Sequence, residues 1–137
     1  MSRKIFVNLP IKNMEKSQAF FKSLGFSFDP KFTNDRGACM VVSKDHNYVM
    51  LLVEPFFKTF IKKSIADASK TTEVLVCLSC DSRAEVDEMV KKAIAGGGKS
   101  PNAPQDHAFM YGHGFEDLDG HLWEVVWMDP NAAPPQA

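Results

Sequence analysis

The chain has 137 residues, of which 45% are hydrophobic and 24% charged. This is typical of a single globular domain that buries about two-thirds of its unfolded surface. Its 16 basic and 17 acidic residues give a formal net charge of -1, which argues against nucleic-acid binding because that function needs a basic face. No segment approaches the roughly 18 apolar residues of a membrane span. There is no signal-peptide core, and the cysteine content fits a reducing compartment. We therefore expect one cytoplasmic domain over residues 1–137 with no nucleic-acid or membrane partner.

The first predicted module covers about residues 4–54 and consists of a strand, a helix and three strands. Aliphatic residues alternate from Val7 in the segment VNLPIKNMEKSQAFFKSLGF, as on a half-buried strand. Asn13 is the expected helix N-cap, and Gly25 is the expected helix end. The segment MVVSKDHNYVMLLVE, from Met40, predicts two strands joined by a polar turn.

A connecting segment, residues 55–72, joins this module to the next. Its apolar residues lie at near-helical spacing: Phe56, Phe57, Phe60, Ile61 and Ile65. The spacing predicts a helix packed on a sheet. The alternative is a lid over a cavity, with Phe60 as a candidate ligand contact.

The second predicted module, about residues 73–128, repeats the order of the first. The segment VCLSCDSRAEVDEMVKKAIAGGG, from Val76, predicts a strand and then a helix capped by Asp81 or Ser82 and closed by glycines. The segment GFEDLDGHLWEVVWM, from Gly114, matches the hairpin of the first module. A Pro-rich tail, residues 129–137, follows and is expected to be disordered.

Cys77 and Cys80 have the C-x-x-C spacing of redox and zinc sites. They lie on a predicted strand, however, where residues three apart point to opposite faces. The pattern therefore favours two buried strand cysteines over a redox or zinc pair.

The two modules and the hairpin DLDGHLWEVV resemble the glyoxalase, bleomycin-resistance and extradiol-dioxygenase superfamily, also called vicinal oxygen chelate proteins. The resemblance extends from about Lys4 to Met128. It implies an α+β fold of two βαβββ modules, with curved mixed sheets around a cavity. It also implies pairing of modules within or between chains, and commonly a divalent metal held by up to four inward residues.

The positions that this resemblance assigns to metal ligands are mostly occupied by unsuitable side chains. The first-strand positions correspond to Phe6, which shares a face with Asn8, and to Leu75 or Cys77. The last-strand positions correspond to Met50 and Glu124. Phenylalanine cannot bind a cation, and a methionine thioether suits soft metals only. We therefore predict that the standard metal chelate is lost, although an unconventional divalent metal remains an alternative.

The final hairpin offers a different candidate site. If Asp117–Gly120 form a four-residue loop, His113 lies opposite Glu124 and shares its face with Tyr111. A register shift of one residue would separate them. A histidine beside a carboxylate in an apolar pocket can perform acid–base chemistry, orient a polar ligand or form a structural ion pair.

These observations leave two classes of function open. The first is a metal-independent small-molecule-binding protein, with candidate ligand contacts at Tyr111, Phe6, Asn8, Met50, Cys77 and Phe60. The second is a lyase, isomerase or dioxygenase-like enzyme in which Glu124 and His113 are catalytic. The pairing of modules implied by the resemblance also predicts a homodimer with contacts through residues 55–72 and the edge strands.

Overall fold

The computed structural model describes residues 3–132. The chain divides into two compact units, Met1–Asp67 and Ala68–Ala137, and each contains a four-stranded mixed sheet with helices. The predicted α+β fold of two βαβββ modules is confirmed. None of the helices within the described residues is long and apolar enough to cross a membrane.

Unit 1 contains the first module. Its strands are β1 (Ile5–Ile11), β2 (Ser27–Phe28), β3 (Gly37–Ser43) and β4 (Asn47–Val53), and its main helix is α1 (Met14–Ser23). The sheet order is β1-β4-β3-β2, with β1 parallel to β4 and the other pairs antiparallel. As predicted, Asn13 caps α1 by accepting a hydrogen bond from the Lys16 backbone N–H at 2.9 Å, and Gly25 follows the helix with φ +103°.

The connecting segment is helical only at its start, so the prediction of a longer helix is wrong. Helix α2 (Glu54–Phe57) and a 3₁₀ turn (Lys58–Phe60) are followed by extended backbone at Ile61. Helices this short depend on tertiary packing rather than on their own propensity. Phe56 provides that packing: Arg36 lies 4.7 Å above its ring, and the Phe60 ring lies 5.1 Å away. The apolar residues beyond this turn, Ile61 and Ile65, therefore do not lie in a helix.

Unit 2 contains the second module. Its strands are β5 (Leu75–Ser79), β6 (Gln105–Asp106), β7 (Met110–Glu116) and β8 (Leu122–Met128), and its helix is α3 (Arg83–Ala95). The sheet order is β5-β8-β7-β6, with β5 parallel to β8. Ser82 rather than Asp81 caps α3, because its hydroxyl accepts from the Glu85 backbone N–H at 3.1 Å. Gly97, at φ +105°, follows the helix end.

Each sheet has one face that carries the core of its unit. In unit 2, Phe115, Trp123 and Val125 are at most 1% exposed, as is Val86 of α3. In unit 1, alternate residues of β1 and β4 are buried, as are Phe20 and Phe21 of α1. We call the opposite face of each sheet its open face. Because strand side chains alternate, the register identifies the residues on each open face.

The two cysteines of the C-x-x-C segment lie in different environments. Both are free, and Cys80 is buried, but Cys77 is exposed on the open face of unit 2. The expectation of burial is therefore correct for Cys80 and wrong for Cys77. Alternation along β5 explains the difference.

Candidate functional site

The register of the final hairpin separates the predicted catalytic pair. Glu116 lies opposite Leu122, which leaves five residues, Asp117–His121, in the loop instead of four. Glu124 consequently lies opposite Gly114, and His113 lies opposite Val125. Directly opposed residues share a face and successive ones alternate, so His113 and Glu124 point to opposite faces. The predicted pairing is wrong by one residue.

The buried carboxylate of Asp117 accounts for the longer loop. Its Oδ1 accepts hydrogen bonds from the backbone N–H groups of Asp119 and His121, at 2.9 and 3.0 Å. Its Oδ2 accepts from the Trp123 indole N–H at 3.0 Å. Burial raises the pKa of Asp117, while the charge of His121 and the Trp123 hydrogen bond oppose that rise. The DLDG segment therefore has a structural role that the sequence did not reveal.

His113 and Tyr111 lie on the helix-covered face of unit 2 and stabilise the fold there. The Tyr111 hydroxyl donates to Asp87 at 2.6 Å. His113 Nε2 lies 2.9 Å from the Asn102 carbonyl and 3.0 Å from Ser100 Oγ. The Ser100 hydroxyl donates its proton to the Gly114 carbonyl at 2.7 Å, so Nε2 donates to both neighbours. His113 thus holds the Ser100–Asn102 segment against β7.

Glu124 lies at the centre of the open face of unit 2. It pairs in register with Cys77 on β5 and with Gly114 on β7. Within residues 3–132, its carboxylate forms no hydrogen bond or ion pair. Cys77 is exposed but partly shielded from water by the surrounding sheet, and this partial desolvation raises the pKa of its thiol; the negative charge of Glu124 raises it further. A carboxylate and a neutral thiol therefore lie side by side on this face.

The rest of this open face is mainly apolar. Leu75 is 52% exposed and Met128 is 48% exposed. The register adds Ser79, Gln105, Met110, Gly112, Glu116, Leu122 and Val126. Of the residues on this face, the sequence predicted Leu75 or Cys77 and Glu124 as site positions, and the alternation of β5 and β8 is the signal that reveals the others.

The open face of unit 1 has a comparable central row. Asn8 lies opposite Met50, and Met50 lies opposite Cys39. Toward one end, the rings of Phe6 and Tyr48 stack at 4.9 Å with an interplanar angle of 9°, and Phe6 is 50% exposed. The prediction that Phe6 and Asn8 share one face agrees with this register, which places Met50 on the same face.

The other end of the open face of unit 1 is closed by the connecting segment. A Cβ built on Gly37 would lie 3.0 Å from the Leu52 side chain and 3.6 Å from the Phe56 ring, so Phe56 packs against the sheet there. Phe60 contacts Phe56 but remains 67% exposed. The accessible part of the face therefore extends from the Phe6–Tyr48 stack to Asn8 and Met50, whereas Cys39 at the end of the row is buried.

The central rows of the two units correspond to each other. The row Asn8, Met50 and Cys39 of unit 1 matches the row Cys77, Glu124 and Gly114 of unit 2. This agrees with the sequence alignment of Met50 with Glu124. The repeated fold therefore places the Asn8 amide and the sulfur atoms of Met50 and Cys39 in unit 1 at the positions where unit 2 has the Cys77 thiol, the Glu124 carboxylate and Gly114.

These residues do not fit a conventional divalent metal. The register places Asn8, not Phe6, at the position of unit 1 that matches Cys77. Of the four positions Asn8, Met50, Cys77 and Glu124, only Glu124 carries a carboxylate, and the others carry an amide, a thioether and a thiol. Within the described residues, no group of three His, Cys, Asp or Glu side chains is placed to hold a metal ion. Catalytic zinc sites need three protein ligands, so we assign no step to a metal.

Comparison with known proteins relates the chain to one group of folds. Residues 3–43 match the family described as bleomycin resistance protein-like N-terminal. A hypothetical protein from S. aureus is 27% identical, with 93% of this chain and 95% of that chain covered and a TM-score of 0.76. No curated protein matches the chain.

Two further solved structures share the fold at lower identity. A glyoxalase-related enzyme from Fulvimarina pelagi is 16% identical over 93% of this chain and 88% of that chain, with a TM-score of 0.76. A fosfomycin resistance protein from Listeria monocytogenes is 16% identical over 100% and 96% of the two chains, with a TM-score of 0.66. At this identity they support the fold alone.

Proposed function

We propose that this chain, which belongs to the glyoxalase, bleomycin-resistance and extradiol-dioxygenase superfamily, binds a small and mainly apolar molecule without the superfamily's usual metal chelate. The observation that carries the proposal is the open face of each sheet. Binding sites for small molecules are mostly apolar, with a few polar groups that orient the ligand. Both open faces have this composition.

The open face of unit 1 supports binding of a flat apolar group. The Phe6–Tyr48 stack presents an aromatic surface, since Phe6 is half exposed. The Asn8 amide lies beside it and donates to the Phe6 carbonyl at 3.2 Å, which leaves its oxygen available. Met50 provides an adaptable side chain next to this amide. We propose Phe6, Asn8 and Met50 as ligand contacts.

In unit 2 we propose Cys77 and Glu124 as ligand contacts. They provide a hydrogen-bonding pair within the apolar surface of Leu75 and Met128. The alternative of a lyase or isomerase required His113 beside Glu124, and the register separates them. We therefore do not propose that pair, or Tyr111, as part of the site.

The role we propose for this binding is sequestration of a toxic compound. The match of residues 3–43 to the family described as bleomycin resistance protein-like N-terminal supports it. Sequestration needs only an apolar surface with orienting polar groups. It does not depend on the acid–base pair that the register removes.

A thermal-shift screen of small aromatic compounds tests the proposal, because a ligand that binds the folded state raises its apparent stability. We expect at least one compound to raise the unfolding temperature equally with and without EDTA. Phe6→Ala should weaken its binding at least fivefold, whereas Phe32→Ala, at an aromatic side chain that is also exposed (66%), should leave it unchanged. His113→Gln should also leave it unchanged. Binding that EDTA abolishes, or no binding by any compound, would overturn the proposal.

We also propose that the chain forms a homodimer through its exposed apolar positions. Phe60 is 67% exposed, and Ile5 of β1, a strand at the edge of its sheet, is 55% exposed. Light scattering at micromolar concentration should give twice the chain mass of 15.3 kDa. Phe60→Asp should shift the protein toward monomer, while Phe32→Asp serves as the matched control. A monomeric wild-type protein would contradict the proposal.

A further inference from the structure

We propose that the open face of unit 2 selects ligands that carry a positively charged group, such as a protonated amine, and holds that group against Glu124. This inference rests on the proposed small-molecule binding and specifies the chemistry of the ligand. It is carried by three features of the face: an unpaired carboxylate, the glycines beside it and the distribution of basic residues.

The first feature is the carboxylate of Glu124. Its neighbours in register are Cys77 and Gly114, and neither can neutralise a negative charge. The thiol is neutral at pH 7, because burial and Glu124 both raise the pKa of Cys77. A ligand that covers this face removes water from the carboxylate, which costs free energy unless the ligand provides a counter-charge.

The second feature is the lack of β7 side chains beside this carboxylate. β7 presents two glycines to the open face, Gly112 opposite Val126 and Gly114 opposite Glu124. A Cβ built on Gly114 would lie 3.8 Å from Glu124 Cγ and 3.1 Å from the Trp123 carbonyl oxygen. Glycine therefore keeps the surface next to the carboxylate at the level of the backbone, so no side chain of β7 covers Glu124 there.

The third feature is the distribution of charge. The open-face positions of β5, β7 and β8 include no lysine, arginine or histidine. The nearest basic residue in register is Lys99, whose backbone forms an antiparallel β-bridge with Glu116 at the end of β7. Lys99 thus lies opposite the other carboxylate of the face, and among residues 3–132 no basic side chain forms an ion pair with Glu124. Charge complementarity accordingly favours a cationic ligand over a neutral or anionic one.

A matched set of aromatic ligands tests this inference. The set pairs phenyl, indolyl and naphthyl rings with an ethylammonium, a hydroxyethyl or an acetate group, and binding to the full chain is measured by calorimetry or NMR titration at pH 7. We expect the ammonium member of a series to bind at least tenfold more tightly than its acetate member. Glu124→Gln should reduce that ratio to less than threefold, because the amide carries no negative charge. Glu116→Gln, the control, should keep the ratio.

Alkylation of Cys77 identifies the face that binds. A bound ammonium ligand should slow reaction of Cys77 with iodoacetamide at least threefold, because it covers the thiol beside Glu124 and this shielding exceeds the faster reaction expected when its charge offsets that of Glu124. Equal affinity for the three head groups, a ratio that survives Glu124→Gln, or unchanged Cys77 reactivity would overturn the inference. If neutral compounds bind but no ammonium compound does, the inference fails while the proposed function stands. If nothing binds, both fail.

Discussion

Trp123 donates its indole N–H to the buried carboxylate of Asp117 at 3.0 Å, and this contact joins the core to the loop of the last hairpin. The same carboxylate accepts two backbone N–H groups of that loop. Asp117 is only 6% exposed, so these donors depend on it rather than on water. Because this loop has a fixed length, the register of β7 with β8 is also fixed, and it determines the sheet face on which each side chain lies.

Asp117→Asn should destabilise the protein by about 2 kcal/mol. The amide has one acceptor oxygen for three N–H donors, and its NH₂ group would face donors that it cannot satisfy; leaving such groups unpaired costs about 1–3 kcal/mol. Urea unfolding of the purified variant measures the loss. Asp35→Asn, at an exposed position, should change stability by less than about 0.5 kcal/mol. Equal stability of the two variants would show that the Asp117 network is not important.

Gly120→Ala should destabilise the protein more than Gly25→Ala does. Both glycines have positive φ, +90° and +103°, and this conformation costs an alanine roughly 1–2 kcal/mol. At Gly25 the added Cβ meets nothing within 4 Å, whereas at Gly120 it would lie 2.9 Å from the Ala68 carbonyl oxygen. The difference between the two unfolding free energies therefore isolates the cost of the backbone contact. Identical losses would mean that the loop moves freely away from Ala68.

Cys77 should be the first cysteine to react with a thiol reagent, because Cys39 and Cys80 are buried. Its reaction should be slower than that of an unperturbed thiol, since burial and the charge of Glu124 raise its pKa and reduce the thiolate fraction. Glu124→Gln removes the second cause, lowers the pKa and should increase the alkylation rate at pH 8. Mass spectrometry of the alkylated peptides measures each rate. A slower reaction in Glu124→Gln would contradict the assigned proximity.

Stability should fall between about pH 9 and 11 partly because of Cys80. Burial, followed by the charge of Glu85, raises its pKa from 9.0 to about 11. The unfolded thiol ionises first, so this contribution is complete below pH 9 and is lost as the pH rises through 11. The loss is at most about 3 kcal/mol. Chemical unfolding across this range should show a steeper decline for the wild type than for Cys80→Ala. Parallel declines would contradict the prediction.

The order of elements followed from the sequence because its signals are local. Asn13 and the glycine at position 25 define the ends of α1 through contacts within a few residues. Alternating apolar residues define β1 and β4 in the same way. Even the correspondence of Met50 with Glu124 could be found by aligning the two modules. Each of these features depends on neighbours in the chain.

The candidate site was harder to predict because it depends on register. The DLDG segment is compatible with a loop of four or five residues, and only the burial of Asp117 against Trp123 selects five. With a five-residue loop, His113 lies on the helix-covered face and Glu124 lies beside Cys77 on the open face. The prediction of a long helix in the connecting segment was wrong for a similar reason. The apolar spacing fits a helix, but the packing of Phe56 ends the helical backbone after Phe60.

The open face of unit 1 also has a consequence during synthesis. Residues 1–67 leave the ribosome first, and their sheet can form while unit 2 is still being made, since domains generally fold as units and in order. In the complete chain Ile5 and Phe6 are 55% and 50% exposed, and they lie on β1, which has a neighbouring strand on one side only within the sheet of unit 1. Such an edge is a template for pairing with another nascent chain. Pro10 lies on this edge strand and has no N–H to donate, so it disfavours pairing with another strand. It thereby limits aggregation of the incompletely synthesised chain.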